Sequence, residues 1–168
     1  MKKIVVFLAL SLWGYALNVG EVPVPVVLKG DNGGDANGNA WYSTSLKGKV
    51  HVLLYMDPDM REHSSFLLET LQKMKLGHTY STVAIVNLAA TWMPNALLES
   101  KLKSKQKELK QMEYVFDKTK YLVKKWHFKD DASNVVVLDK NSRVIYAKSG
   151  PLSSEDVVEI VRKIEYAK

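Results

Sequence analysis

The chain has 168 residues, 46% hydrophobic and 25% charged, with a formal net charge of +6 and no cysteine. That length suits one ordinary domain with its own core. Without a thiol there is no disulfide framework, no thiolate catalysis and no zinc–thiolate site.

The amino terminus reads as an export signal. Lys2 and Lys3 precede the apolar run Ile4 to Trp13, and Gly14 and Ala16 are the small residues a signal peptidase needs. Cleavage is expected after Ala16. The alternative is an uncleaved anchor, although the run is well short of the roughly 20 apolar residues that span a bilayer. Losing residues 1–16 takes away Lys2 and Lys3 and no acid, so the charge falls from +6 to +4. Residues 17–168 are then a single domain in the periplasm, with no transmembrane span after cleavage.

Residues 17–28 contain Pro23 and Pro25, which cannot donate to a ladder, so they form an edge strand or extended arm. Lys29 to Ala40 is rich in Gly, Asn and Asp and reads as a loop or hairpin connection. Asp31, Asn32, Asp35 and Asn37 lack the spacing and closing Glu of a calcium loop, which favours turn chemistry. Gly48-Lys49 leads into the apolar run Val50 to Tyr55, a buried strand. Met56-Asp57-Pro58-Asp59-Met60-Arg61 turns the chain. A helix follows, with Phe66, Leu67, Leu68, Leu71 and Met74 as its apolar stripe and Gly77-His78 at its end. A strand feeding a helix through a short turn is half of a βαβ unit, and ligands usually bind outside the carboxyl ends of such strands.

Thr82 to Asn87 is a second buried strand, parallel to the first because a helix intervenes. Leu88 to Pro94 is a loop carrying Trp92 and Met93. A helix opens at Pro94 or Asn95 with Leu98, Leu102, Leu109 and Met112 as its stripe. Lys101, Lys103, Lys105, Lys107 and Lys110 encircle the rest. They read as a solvated face or, alternatively, as a contact for an anionic partner. Aromatics do not interleave with them as single-strand stacking requires, and export argues against a genomic partner, so no nucleic acid is expected. Tyr114 to Phe116 is a third strand, and Asp117 caps a helix from Lys118 to about Trp126. Val135 to Asp139 is a fourth strand, turning through Lys140-Asn141-Ser142 into an antiparallel Val144 to Ala147. Ser153 or Ser154 caps the last helix, with Glu155 and Asp156 in its first turn and Val157, Val158, Val161 and Ile164 as its buried stripe.

Gly20-Glu21-Val22-Pro23, Leu46-Lys47-Gly48-Lys49-Val50 and the closing hairpin from Val135 to Val144 give the chain its resemblance to a thioredoxin-like α/β fold. The branch resembled is the TlpA and peroxiredoxin type, a central mixed sheet flanked by helices. The segments Asn134 to Val144, Ala147 to Ser153 and Thr82 to Asn87 are similar to those of the YtfJ family of small exported bacterial proteins. That resemblance implies a periplasmic, thioredoxin-like protein. It also sets Asp57 where thioredoxins carry the nucleophilic cysteine, Met60 where they carry the resolving one, and Ser133 where they carry a cis-proline. A cis bond before a non-proline costs about 3 kcal/mol, so a trans peptide is expected there. Disulfide exchange and cysteine-based peroxide reduction need a thiolate, so neither is open to this chain.

Asp57, Asp59, Glu62 and His63 cluster at the helix start. They read as caps and macrodipole partners, and alternatively as ligands for a divalent metal. Asp57, Asp59 and His63 also form a catalytic acid–base set on paper. Trp92 and Met93 either pack over the core or, if exposed, grip a peptide or apolar ligand. The leading expectation is a binding or interaction module without a cofactor. Its face is Met60, Arg61, Trp92, Met93 and Ser133, and its partner is a protein, peptide or small molecule. The rival is a metal-binding or carboxylate–histidine enzyme.

Overall fold

The computed structural model describes residues 17–74, 80–109 and 112–167. The export signal expected in residues 1–16 and the helix end at Gly77-His78 lie outside the described residues. Strands β1 (Val27–Leu28) and β3 (Trp41–Tyr42) pair as a small antiparallel ribbon. The main sheet runs β2-β6-β5-β4-β7-β8, formed by β2 (Gly33–Asp35), β4 (Val50–Met56), β5 (Tyr80–Asn87), β6 (Met112–Asp117), β7 (Asn134–Leu138) and β8 (Val144–Ser149). Strands β4, β5 and β6 are parallel, while β2, β7 and β8 pair antiparallel to their neighbours. Helices α1 (Glu62–Lys73), α2 (Asn95–Glu108), α3 (Tyr121–Trp126) and α4 (Ser154–Tyr166) cover the two faces. No helix among the described residues is long and apolar enough to cross a membrane.

The strand period of two assigns side chains to faces. Leu53, Tyr55, Val83, Ile85, Val136 and Leu138 pack on one side with α3, Trp41 and the arm. Val50, Val52, Leu54, Val135 and Val137 pack on the other with Leu67 and Leu71 of α1 and Val157, Ile160 and Ile164 of α4. Further along that second face, Ala84, Val86, Tyr114 and Phe116 meet Leu98 and Leu102 of α2. Burial on both faces explains why the central strands read as continuous apolar runs. The proline arm is pinned by Trp126, whose Nε1 donates to the Val24 carbonyl at 2.9 Å. Its indole meets Phe128 edge-on at 5.6 Å, a contact worth about 1 kcal/mol beyond area burial.

Several sequence expectations need correction. The loop Lys29 to Ala40 contains β2, whose Gly33 and Gly34 lie against β6. Asp35 turns the chain there by accepting the Asn37 and Asn39 N–H groups. Met112 does not extend the α2 stripe but opens β6, because the helix ends at Glu108. Phe66 and Val158 lie on the solvent side of their helices, and Ile160 takes the inward position on α4. Helix α3 begins at Tyr121 rather than Lys118, with Lys120 as its N-cap residue. Asp117 reaches it from the end of β6, accepting the Tyr121 and Leu122 N–H groups at 2.8 Å each. Ser153 and Asp156 form a reciprocal capping box on α4.

Candidate functional site

Strand β4 delivers Asp57 to its carboxyl end, where Pro58 presets the backbone for a single 3-10 turn over Pro58–Met60. The Asp57 Oδ1 accepts the Asp59 N–H at 2.9 Å, and the Met60 N–H donates to the Asp57 carbonyl at 3.0 Å. The Asp57 side chain is therefore a cap turned inward, only 3% exposed. Burial pushes its carboxyl above the ordinary value. The Asp59 N–H opposes that shift, and the charges of Asp59, Asp131 and Asp130 reinforce it.

Two further loops meet this turn. Ser133, fully buried before β7, donates its Oγ to the Met60 carbonyl at 3.1 Å, and its own carbonyl accepts the Gly150 N–H at 2.8 Å. Its peptide is trans, as are the other described peptides. After β5, Asn87 caps a short turn over Leu88–Ala90. The Thr91 hydroxyl then donates to Asp59 Oδ1 at 3.2 Å and accepts the Met93 N–H at 3.3 Å. This ties the second loop to the first and splits the two apolar residues beside it. Met93 tucks against the α2 cluster, while Trp92 stands 86% exposed.

The structure thus brings Asp57, Asp59, Met60, Arg61, Trp92, Met93 and Ser133 to one end of the sheet. It does not gather Asp57, Asp59, Glu62 and His63 into a metal centre. Among the described residues, no three acidic or histidine side chains are placed to share an ion. The reason is directional: Asp57 points inward to cap, Asp59 and Glu62 face solvent, and the His63 Nδ1 is buried without a hydrogen-bond partner. His51 sits on β4, where burial lowers its pKa, and its Nδ1 lies 3.2 Å from the Lys49 carbonyl. His127 is exposed beyond α3. No described hydrogen bond joins His63 to either aspartate as an acid–base relay would require.

Sequence reasoning missed the acidic corner behind the turn. Asp130 and Asp131 precede β7, and Lys120 Nζ lies 2.7 Å from Asp130 Oδ2. The available signal was topological. A strand running antiparallel to β4 begins where β4 ends, so its lead-in loop must arrive beside Asp57. Beneath the site, the Tyr55 hydroxyl donates to Asp117 Oδ2 at 3.2 Å.

Over residues 23–167 the chain matches the model of a family described as "Bacterial protein of unknown function (YtfJ_HI0045)". The chain belongs to the YtfJ family. This YtfJ chain is 32% identical over 125 residues to the "Uncharacterized protein YtfJ" of Escherichia coli (strain K12), spanning 72% of the present chain and 68% of that protein. Its fold is similar to the thioredoxin domain of a thiol-disulfide oxidoreductase from Bacteroides vulgatus, with a TM-score of 0.63, 14% identity and coverage of 91% and 100% of the two chains. It is also similar to the pneumococcal exposed lipoprotein thioredoxin Etrx1 from Streptococcus pneumoniae strain TIGR4, with a TM-score of 0.58, 15% identity and coverage of 83% and 99%. Identities at that level carry the fold alone. The fold of this YtfJ protein is thioredoxin-like, and the turn after β4 reads Asp57-Pro58-Asp59-Met60 with no cysteine anywhere in the chain.

Proposed function

We propose that this YtfJ protein is an exported, redox-inactive binding module of the periplasm. It takes a peptide or small apolar ligand on the face formed by the Asp57–Arg61 turn, the Trp92 loop and the Ser133 loop. One observation carries the reading: Trp92 is 86% exposed on a loop that is itself tied down. A positioned indole buries up to about 200 Å² on contact, and tryptophan is enriched among the residues that anchor interfaces. None of the three core clusters uses Trp92.

Protein isolated from its own periplasm and examined by native mass spectrometry should carry a co-purifying peptide or small molecule that Trp92→Ala releases. Trp41 and Trp126 are buried, so a ligand at this face shifts the emission of Trp92 to shorter wavelength. A bare protein whose emission no periplasmic fraction changes would refute the binding reading. Export is tested separately. The mature amino terminus should be Leu17, and a chain retained in the cytoplasm with Met1 intact would refute it.

A further inference from the structure

The surface of α2 has a different character from the binding face. We propose that α2 is a docking face for an anionic lipid bilayer. Leu98, Leu102 and Gln106 fix the helix against the sheet. The Gln106 Nε2 donates to the Met112 carbonyl at 2.7 Å and its Oε1 accepts the Tyr114 N–H at 2.8 Å. These bonds satisfy backbone groups at the start of β6 and lock the rotation of α2 about its axis.

With that rotation fixed, the helical period places every other side chain. Lys101 and Lys105 project from one flank, and Lys103 and Lys107 from the other. Ser100, Ser104 and the half-exposed Leu97 form the ridge between them. All four lysines are exposed, and none makes an ion pair with a described residue. Glu99 is taken by Lys118 at 2.9 Å, which leaves Glu108 at the helix end as the acid on this surface. The macrodipole accounts for Lys105 and Lys107 in the last turn but not for Lys101 and Lys103 in the middle.

Two lysine rows flanking a ridge of small and apolar side chains suit a flat array of phosphates, met by both rows at once as the stems splay outward. A nucleic acid is the poorer match. Among the described residues, α2 carries no arginine and no aromatic interleaved with the lysines. The inference does not depend on the ligand face at Trp92.

The test is co-sedimentation of the purified protein with phosphatidylglycerol–phosphatidylcholine vesicles against pure phosphatidylcholine. Binding is expected to the anionic vesicles alone and should weaken steeply with salt. Each Lys→Gln change should cost roughly fivefold in partitioning, so Lys101→Gln with Lys105→Gln should cost about 25-fold. The matching Lys→Arg pair should retain binding. These side chains are exposed, and an unchanged melting temperature confirms that the variants fold. Trp92→Ala should leave vesicle binding intact. The inference is overturned by equal binding to phosphatidylcholine, by a Lys101, Lys103, Lys105, Lys107→Gln variant that binds as before, by loss in Trp92→Ala alone, or by lysine-dependent binding to an oligonucleotide with none to vesicles.

Discussion

If the Asp57–Met60 turn keeps the backbone geometry of a dithiol site, installing the two missing thiols should close a disulfide. The double substitution Asp57→Cys, Met60→Cys tests this. The Met60 N–H bonds to the Asp57 carbonyl at 3.0 Å, which closes a four-residue turn and holds the two Cα atoms within about 7 Å. Disulfides span roughly 4.4–6.8 Å between Cα atoms. Closing so short a loop removes about 2 kcal/mol of unfolded-state entropy. For a chain of this length, that corresponds to a melting temperature about 4–8 °C higher for the oxidised than for the reduced form. Both forms lose the Asp57 cap equally, so its cost of about 1 kcal/mol cancels in the comparison. The assay is thermal unfolding with and without reductant, with intact mass and thiol titration to establish the oxidation state. A variant that stays a dithiol under oxidant, or whose oxidised form melts lower, would show that the turn does not have the geometry of a dithiol site.

Asp117→Ala should be the most damaging single change near the site. It strips acceptors from the Thr119, Tyr121 and Leu122 N–H groups and the Tyr55 hydroxyl in a fully buried position, and about 3–5 kcal/mol should be lost in denaturant unfolding. A loss under about 1 kcal/mol, the value of an ordinary cap, would refute the network. Asp57→Asn should act in the opposite sense. A carboxyl raised by burial binds its proton more tightly folded than unfolded, so ionised Asp57 subtracts stability above its folded pKa. That penalty fades as pH falls toward the unfolded value of 3.8. The variant should therefore melt higher than the parent at about pH 7 and equal it below about pH 3. An advantage of the same size at both pH values would refute the burial argument.

Much of the fold was legible because the central strands are apolar on both faces and their helices carry period-3.6 stripes. Ser153 stood where a cap stands, whereas Asp117 serves α3 from the end of β6, four residues before the helix opens. The misreadings have physical causes. Met112 fits a helical stripe and a buried strand equally well, and what decides between them is the helix end at Glu108, which no glycine or proline announces. Phe66 and Val158 are apolar residues on solvent faces, which periodicity alone cannot distinguish from the core edge. β2 escaped because Gly33 and Gly34 have no strand propensity. They are there for close approach: a Cβ on Gly33 would stand 1.8 Å from the Phe116 carbonyl oxygen. At the site, the turn was legible and its neighbours were not, since Thr91, Asp130 and Asp131 reach it only through tertiary folding.

The strand order explains why a chain without thiols still builds this site. β4 is central, with β5 parallel on one side and β7 antiparallel on the other. The ends of β4 and β5 and the start of β7 must then open at the same edge, whatever side chains occupy the loops. The core clusters lie below that edge and hold the strands through Leu53, Tyr55, Ile85 and Val136. None of Asp57, Met60 and Ser133 belongs to them. What the loops need is local closure, which the Asp57 cap and the Ser133 to Met60 hydrogen bond supply at about 1 kcal/mol each. Chemistry at this edge can therefore change with little effect on the fold. Without thiols the edge is still a shaped, anchored surface, and Trp92 is the side chain on it with the most area still to bury.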